Sequence, residues 1–206
     1  MGWEQTGQDL TANDLIYFAA SGRPLPENFA QVSAEGIDYI PANRLLASAV
    51  SILGTDPDSQ GVLARLLKEP PFQTYDCILI DCKPSLDLLV TNALAASDSV
   101  LVPVQAELFA LTAVGEVMET VRRTKAYNPR LEVEGFLLTM YRSQTTMSRE
   151  VRQALEQSFG EAVFPTPISF SAEAGKSTAR QESISANQKL GQEYMDAARR
   201  IERRSC

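Results

Sequence analysis

Histidine is absent from the 206 residues, and no apolar run approaches the length of a membrane span. Without histidine the chain has no Ser-His-Asp or Cys-His nucleophile and no histidine-ligated metal site. A transmembrane helix needs about 18 or more apolar residues, so none is predicted. The first residues also lack the basic and apolar segments of a signal peptide. These absences favour a cytoplasmic protein.

Cysteine is scarce, and basic residues are scarce in the first half of the chain. An odd count of three cysteines without a secretion signal predicts reduced thiols. The net charge is −7; residues 1–100 carry 5 basic and 13 acidic side chains, and residues 101–206 carry 14 and 13. The overall charge is wrong for a protein that coats nucleic acid, so any contact with nucleic acid is expected in the second half.

Continuous apolar runs alternate with amphipathic helical patterns along the chain. Residues 75–82, 99–104 and 133–140 read as strands buried on both faces, and 163–168 as a fourth strand at an edge. A shorter strand is predicted at 36–41. Alternation of this kind predicts an α/β fold, a mostly parallel sheet with helices on both faces, in a single domain over residues 1–206. The predicted helices lie at or near residues 15–18, 26–28, 43–53, 62–67, 86–96, 111–121, 148–159 and 187–200.

Asp81 ends the apolar run at 75–82 and is the first candidate for a functional residue. Ligands of open α/β sheets bind beyond the carboxyl ends of the strands. An apolar strand followed by an aspartate is the pattern in which a carboxylate holds Mg²⁺, often through a water. The alternative is an aspartate that only caps the next loop.

The sequence around Asp81 resembles that of the ParA-type partition ATPases, which are P-loop ATPases with a deviant Walker A motif, related to MinD. The resemblance rests on ordered motifs along nearly the whole chain: Pro41-Ala42-Asn43, Asp81-Cys82-Lys83-Pro84-Ser85, Asn92-Ala93-Leu94, Val102-Pro103-Val104-Gln105, Phe109-Ala110-Leu111 and Gly135-Phe136-Leu137-Leu138. It implies a three-layer P-loop NTPase-like domain.

One departure from the family concerns the phosphate-binding loop. The family pattern Lys-Gly-Gly-Val-Gly-Lys-Thr, whose backbone N–H groups and lysines hold phosphate, does not occur in the sequence. The resemblance therefore implies that the first strands of the fold are missing and that this chain alone does not hydrolyse ATP. Gly175-Lys176-Ser177 is no substitute, because the glycine that a P-loop requires falls on Phe170.

The resemblance also implies ligands, partners and site residues. For the full-length family these are ATP and Mg²⁺, a homodimer, a ParB-like partner, nonspecific DNA and association with the nucleoid. Asp81 and Ser85 correspond to the metal site, and Met140, Tyr141 and Pro167 to the nucleotide site. The DNA-binding candidates are Arg149, Arg152 and Arg180.

Each of these assignments has an alternative. Ser85 is also a candidate N-cap for the following helix, Lys83 is more simply a solvated surface lysine than a phosphate contact, and the arginines are equally consistent with a solvated face. For the whole chain, the competing functions are a non-catalytic regulator that keeps the dimer and partner surfaces and a nucleotide-independent α/β binding module.

Overall fold

The computed structural model describes residues 10–26, 29–32, 36–180 and 182–205. The chain divides into two compact units. Unit 1 comprises residues 1–97 and 124–129, and unit 2 comprises residues 98–123 and 130–206. The helices and strands are α1 (Ala12–Ala20), β1 (Gln31–Val32), β2 (Asp38–Tyr39), α2 (Leu46–Leu53), α3 (Val62–Leu66), α4 (Leu88–Ala96), β3 (Ser99–Gln105), α5 (Ala110–Thr124), β4 (Glu132–Thr139), α6 (Thr146–Phe159), α7 (Ala172–Arg180) and α8 (Lys189–Ser205).

Unit 2 is built on the parallel pair β3–β4, with Val102 opposite Phe136 and Val104 opposite Leu138. Successive side chains of a strand point to opposite faces, so an apolar run supplies two cores. On one face Phe136 and Leu138 pack with Leu155 of α6 and Val114 of α5. On the other face Leu137 packs with a second apolar cluster that includes Leu190 of α8. The predicted α/β fold, with helices on both faces of a parallel sheet, is confirmed here.

The predicted strand at 163–168 is present only as an extended segment with isolated bridges. Val163 pairs with Phe136, and Ser169 pairs with Tyr141. Pro165 and Pro167 have no N–H group to donate, which prevents a continuous ladder between these two bridges.

Helix α7 is absent from the sequence prediction. It contains Gly175, Lys176 and Ser177, so the tripeptide that imitates a P-loop is helical. A helix directs its N–H groups along its own axis, which leaves none to surround a phosphate at these positions.

Unit 1 is formed mainly by short helices. Leu15 of α1 packs with Phe29, Leu66 and Phe72, and a second cluster joins Ile16 to α2 and α3. The buried Asn92 of α4 donates to Ser59 O and accepts from Leu63 N, which ties α4 to the beginning of α3. The predicted strand at 36–41 is reduced to β2, and β2 pairs antiparallel with β1 instead of joining the parallel sheet.

The predicted buried strand at 75–82 is wrong for this structure. Its residues form neither a strand nor a helix after the 3-10 turn at Pro70–Thr74. Leu79 is 84% exposed and Ile78 42% exposed. The physical reason is that no strand among the described residues pairs with the segment, and an apolar run becomes a strand only where another supplies its hydrogen bonds.

The remaining helix predictions agree with the structure to within a few residues, with one exception. The predicted helix at 26–28 falls largely outside the described residues. The helix predicted from Leu86 begins at Leu88, one residue after its true N-cap Asp87. None of the helices in the described residues has the length and hydropathy needed to span a bilayer.

Candidate functional site

A cavity of about 440 Å³ opens in unit 2 just beyond the carboxyl end of β4. This is the end of a parallel strand at which α/β proteins bind ligands. Residues from the β4–α6 loop, from segment 161–170 and from α8 line the cavity: Tyr141, Arg142, Ser143, Gln144, Thr166, Pro167, Ser169, Phe170, Lys189 and Glu193.

Two of the three predicted nucleotide residues, Tyr141 and Pro167, therefore line one cavity. Main-chain hydrogen bonds hold their loops together: Tyr141 N donates to Ile168 O at 3.0 Å, and Phe170 N donates to Tyr141 O at 2.9 Å. The third, Met140, is not part of the lining. It is 51% exposed, has a φ of 50°, and its sulfur accepts from Gln105 Nε2 at 3.0 Å.

Aromatic rings and cations dominate one side of the cavity. The Arg142 guanidinium lies 3.7 Å from the centroid of the Phe170 ring. Stacking of this kind holds both planar groups in place and leaves the positive charge available. Among the described residues Arg142 has no carboxylate partner. The wall can therefore accept a flat, partly anionic ligand.

The cavity residues from α8 are absent from the sequence prediction. Glu193 is buried and accepts hydrogen bonds from Ser169 N at 2.7 Å and Ser169 Oγ at 2.6 Å. Lys189 Nζ lies 3.7 Å from Glu193 Oε1. The available signal was the i, i+4 spacing of a lysine and a glutamate on a helix, which is also the commonest surface pattern.

The predicted metal residues, Asp81 and Ser85, lie in unit 1. Asp81 is exposed in segment 75–82, which forms no strand, and Ser85 Oγ is buried with no hydrogen-bond partner among the described residues. Carboxylate and hydroxyl oxygens are the hard ligands that Mg²⁺ prefers, and the unpartnered hydroxyl fits such a role. No cluster of three or more His, Cys, Asp or Glu side chains suited to a metal occurs in the described parts of the chain.

Ser85 is not the N-cap of α4. That position belongs to Asp87, whose carboxylate accepts from Leu89 N and Val90 N and pairs with Lys83 Nζ at 2.5 Å. Desolvation alone would raise the pKa of Asp87, but the Lys83 hydrogen bond and the backbone N–H groups outweigh it and hold the pKa below its ordinary value. Lys83 is thus bound to a carboxylate on its own loop.

The three DNA-binding candidates differ in their surroundings. Arg152 forms an ion pair with Glu156 at 2.7 Å and donates to Pro165 O. Arg149 is exposed and donates only to neutral groups, Ser143 O and Thr146 Oγ1. Arg180 is exposed in the last turn of α7. Within the described residues Arg149 and Arg180 have no carboxylate partner. Their positive charges are therefore not neutralised by a neighbouring carboxylate, whereas that of Arg152 is neutralised by Glu156.

Residues 6–133 match the protein family described as an AAA domain. The match covers more than half of the chain, and the chain belongs to this family. A curated relative, the chromosome partitioning protein ParA of Caulobacter vibrioides, is 33% identical over 170 residues, which are 82% of this chain and 62% of that protein. The chain is thus a ParA-type member of the family, and it spans about half the length of the curated relatives it matches.

Solved structures agree on the fold. Cobyrinic acid a,c-diamide synthase from Mycobacterium smegmatis, solved with bound ADP and magnesium, is 29% identical at a TM-score of 0.72, over 93% of this chain and 73% of that one. McdA from Cyanothece is 18% identical at a TM-score of 0.85, over 98% and 78%. At that identity the McdA likeness shows the fold alone.

Proposed function

We propose that the chain binds an adenine nucleotide in the unit 2 cavity, as the nucleotide-binding part of a ParA-type partition ATPase. One observation carries the proposal. Tyr141 and Pro167, which the family resemblance selects from the sequence, line the same cavity at the carboxyl end of a parallel strand.

The chemistry of the cavity supports a nucleotide. Tyr141 and Phe170 offer flat apolar surfaces for a base, and Arg142 and Lys189 offer cations for an anionic group. The mycobacterial synthase, at 29% identity, holds ADP and magnesium. Together these features favour a nucleotide over an uncharged ligand.

Asp81 and Ser85 are the residues that would hold Mg²⁺. The fit rests on their oxygen donors and on the buried Ser85 hydroxyl without a partner in the described residues. A bound Mg²⁺ neutralises phosphate charge during phosphoryl transfer. Asp81 would contribute its carboxylate, directly or through a water, and Ser85 its hydroxyl oxygen.

This chain alone is proposed to bind nucleotide without turning it over. Phosphoryl transfer depends on backbone N–H groups and a lysine placed around the phosphates, and the 206 residues contain no glycine-rich loop that supplies them. Retained binding without turnover is also what a non-catalytic regulator of partition would show.

Titration with a fluorescent ribose-labelled ATP tests the binding. Saturable binding is expected, weakened in Tyr141→Ala and unchanged in Tyr127→Ala, which replaces an exposed tyrosine of unit 1. Phosphate release with ATP and Mg²⁺ should not exceed the buffer rate. Turnover that disappears in Asp81→Ala would contradict the proposed inactivity, and absence of saturable binding would refute the nucleotide site.

Nonspecific DNA is the proposed macromolecular ligand of unit 2, and a homodimer and a ParB-like protein are the proposed protein partners. Arg149→Ala/Arg180→Ala should weaken binding equally on two unrelated duplexes and flatten its salt dependence, because phosphate contacts release counterions. The matched control is Arg122→Ala/Arg123→Ala, whose guanidiniums are both paired with Glu119. An unchanged slope in the Arg149/Arg180 variant would remove these residues from the proposed interface.

A further inference from the structure

Helix α8 lies antiparallel along segment 161–170 and contacts it at regular steps. Near the end of the helix, Arg200 donates to Glu161 O at 2.6 Å and Val163 O at 3.3 Å. One turn earlier, Asp196 accepts from Thr166 Oγ1 at 3.5 Å. Glu193 then accepts from Ser169, within the stretch from Thr166 to Phe170 that lines the cavity.

The side chains of α8 supplement the backbone pairing of segment 161–170. Phe164 N donates to Phe136 O and Ile168 N donates to Leu138 O, but the pairing forms isolated bridges and no continuous ladder, and Pro165 and Pro167 donate no hydrogen bond. The flanking residues are paired with Tyr141, through Ile168 O and Phe170 N. In an extended chain alternate residues face opposite ways, so Ser169 N points away from Tyr141 and toward Glu193.

Both Glu193 oxygens are used in this contact. One accepts from Ser169 N and the other from Ser169 Oγ, while the carboxylate is buried and its nearest cation is Lys189 at 3.7 Å. A buried carboxylate with two short hydrogen bonds is a stronger restraint than a neutral pair. Both carboxylate oxygens already accept hydrogen bonds from Ser169. Glu193 would therefore influence a ligand indirectly, by holding Ser169 in place.

We propose that Glu193 is the positioning residue of the cavity: by holding Ser169 it fixes the wall formed by Thr166 to Phe170 before a ligand enters. This inference rests on the proposed nucleotide site for its functional meaning. A wall that is already fixed in the free protein lowers the conformational entropy lost on binding. The same wall carries Pro167 and the Phe170 ring.

Three variants separate this role from simple packing. Glu193→Ala removes both acceptors. Glu193→Gln keeps the shape, its carbonyl accepts from Ser169 N, and its NH₂ group donates to Ser169 Oγ. Glu202→Ala removes an exposed glutamate from the same helix and is the matched control. Two quantities are measured in the full chain: amide hydrogen exchange of residues 168–170, without any ligand, and the Kd of the fluorescent ATP.

In Glu193→Ala the amide exchange of Ser169 and Phe170 should accelerate by about tenfold or more, the loss expected for a charged hydrogen bond. The Kd should rise by a similar factor, while Glu193→Gln stays within about threefold of wild type and Glu202→Ala is unchanged. Unaltered exchange at 168–170 in Glu193→Ala would overturn the restraint itself.

Faster exchange with an unchanged Kd would show a structural contact only and would overturn the positioning role. A Glu193→Gln variant as weak as Glu193→Ala would do the same, because the restraint would then not depend on the hydrogen bonds. If the wild type binds no nucleotide, the proposed function fails, and the exchange data still decide whether Glu193 holds the wall.

Discussion

Residues 75–82 and the β3–β4 pair have the same sequence prediction and opposite structures. Both are short apolar runs that read as buried parallel strands. In β4, Phe136 and Leu138 are almost fully buried between layers of helices, whereas Leu79 is among the most exposed apolar side chains of the described chain. The difference shows that apolar character specifies a preference for a sheet and that only a neighbouring strand turns the preference into structure.

The largest expected difference between the two regions is in amide exchange. Val102 and Val104 should exchange through near-global unfolding, while Ile78, Leu79 and Ile80, which have no ladder partner among the described residues, should exchange at least about a thousandfold faster. Exchange resolved by residue in dilute protein measures this. Equal protection at high concentration only would mean that copies pair through 76–82, as exposed strand edges tend to do.

Substitution in the two regions should differ by several kcal/mol. Phe136→Ala removes a ring that is 1% exposed and should lower the free energy of unfolding by about 3–5 kcal/mol. Leu79→Ala should change it by less than about 0.5 kcal/mol, because its side chain is already in water. Urea unfolding of both variants makes the test. A large loss in Leu79→Ala would show that 76–82 is buried in solution.

Glycine substitutions should give effects of opposite sign in β4 and in α7. Gly135 has a φ of 155°, and an added Cβ would clash with Ala162 O, so Gly135→Ala should cost about 1–3 kcal/mol. Gly175 is helical with open space around a Cβ, and Gly175→Ala should stabilise by about 0.5–1 kcal/mol. Thermal unfolding of both variants measures the two shifts. A tolerated Gly135→Ala would mean that segment 161–170 moves away easily.

A modest and pH-dependent effect is expected at Asp87, five residues after Cys82. Loss of this N-cap in Asp87→Ala should cost about 1 kcal/mol near neutral pH. The pKa of Asp87 is lowered in the folded state, so its contribution is present above the ordinary carboxyl pKa and is lost as the pH falls below about 4. The two proteins should therefore converge in stability in acid. A difference that persists there would assign the loss to packing.

The sequence predicted those elements whose own pattern is clear and whose pairing partners lie among the described residues. Strands β3 and β4 and helices α5 and α6 follow from apolar periodicity. The nucleotide role of Tyr141 and Pro167 stays a prediction from the family resemblance, and the structure adds that both line one cavity. The segment at 75–82 failed because strand formation depends on a non-local partner. Helix α7 was missed because Gly175-Lys176-Ser177 resembles a loop sequence. Glu193 was missed because its role as an acceptor depends on the position that Ser169 takes in the folded chain.

The exposed segment at 75–82, which has neither helix nor strand, has a consequence for the lifetime of the protein in a cell. Proteases bind their substrates as extended strands, and an exposed stretch without secondary structure is where a folded chain is first cut. Leu79 offers an accessible apolar side chain at such a stretch. Cleavage there would break the covalent link between α1–α3 and every residue of the cavity.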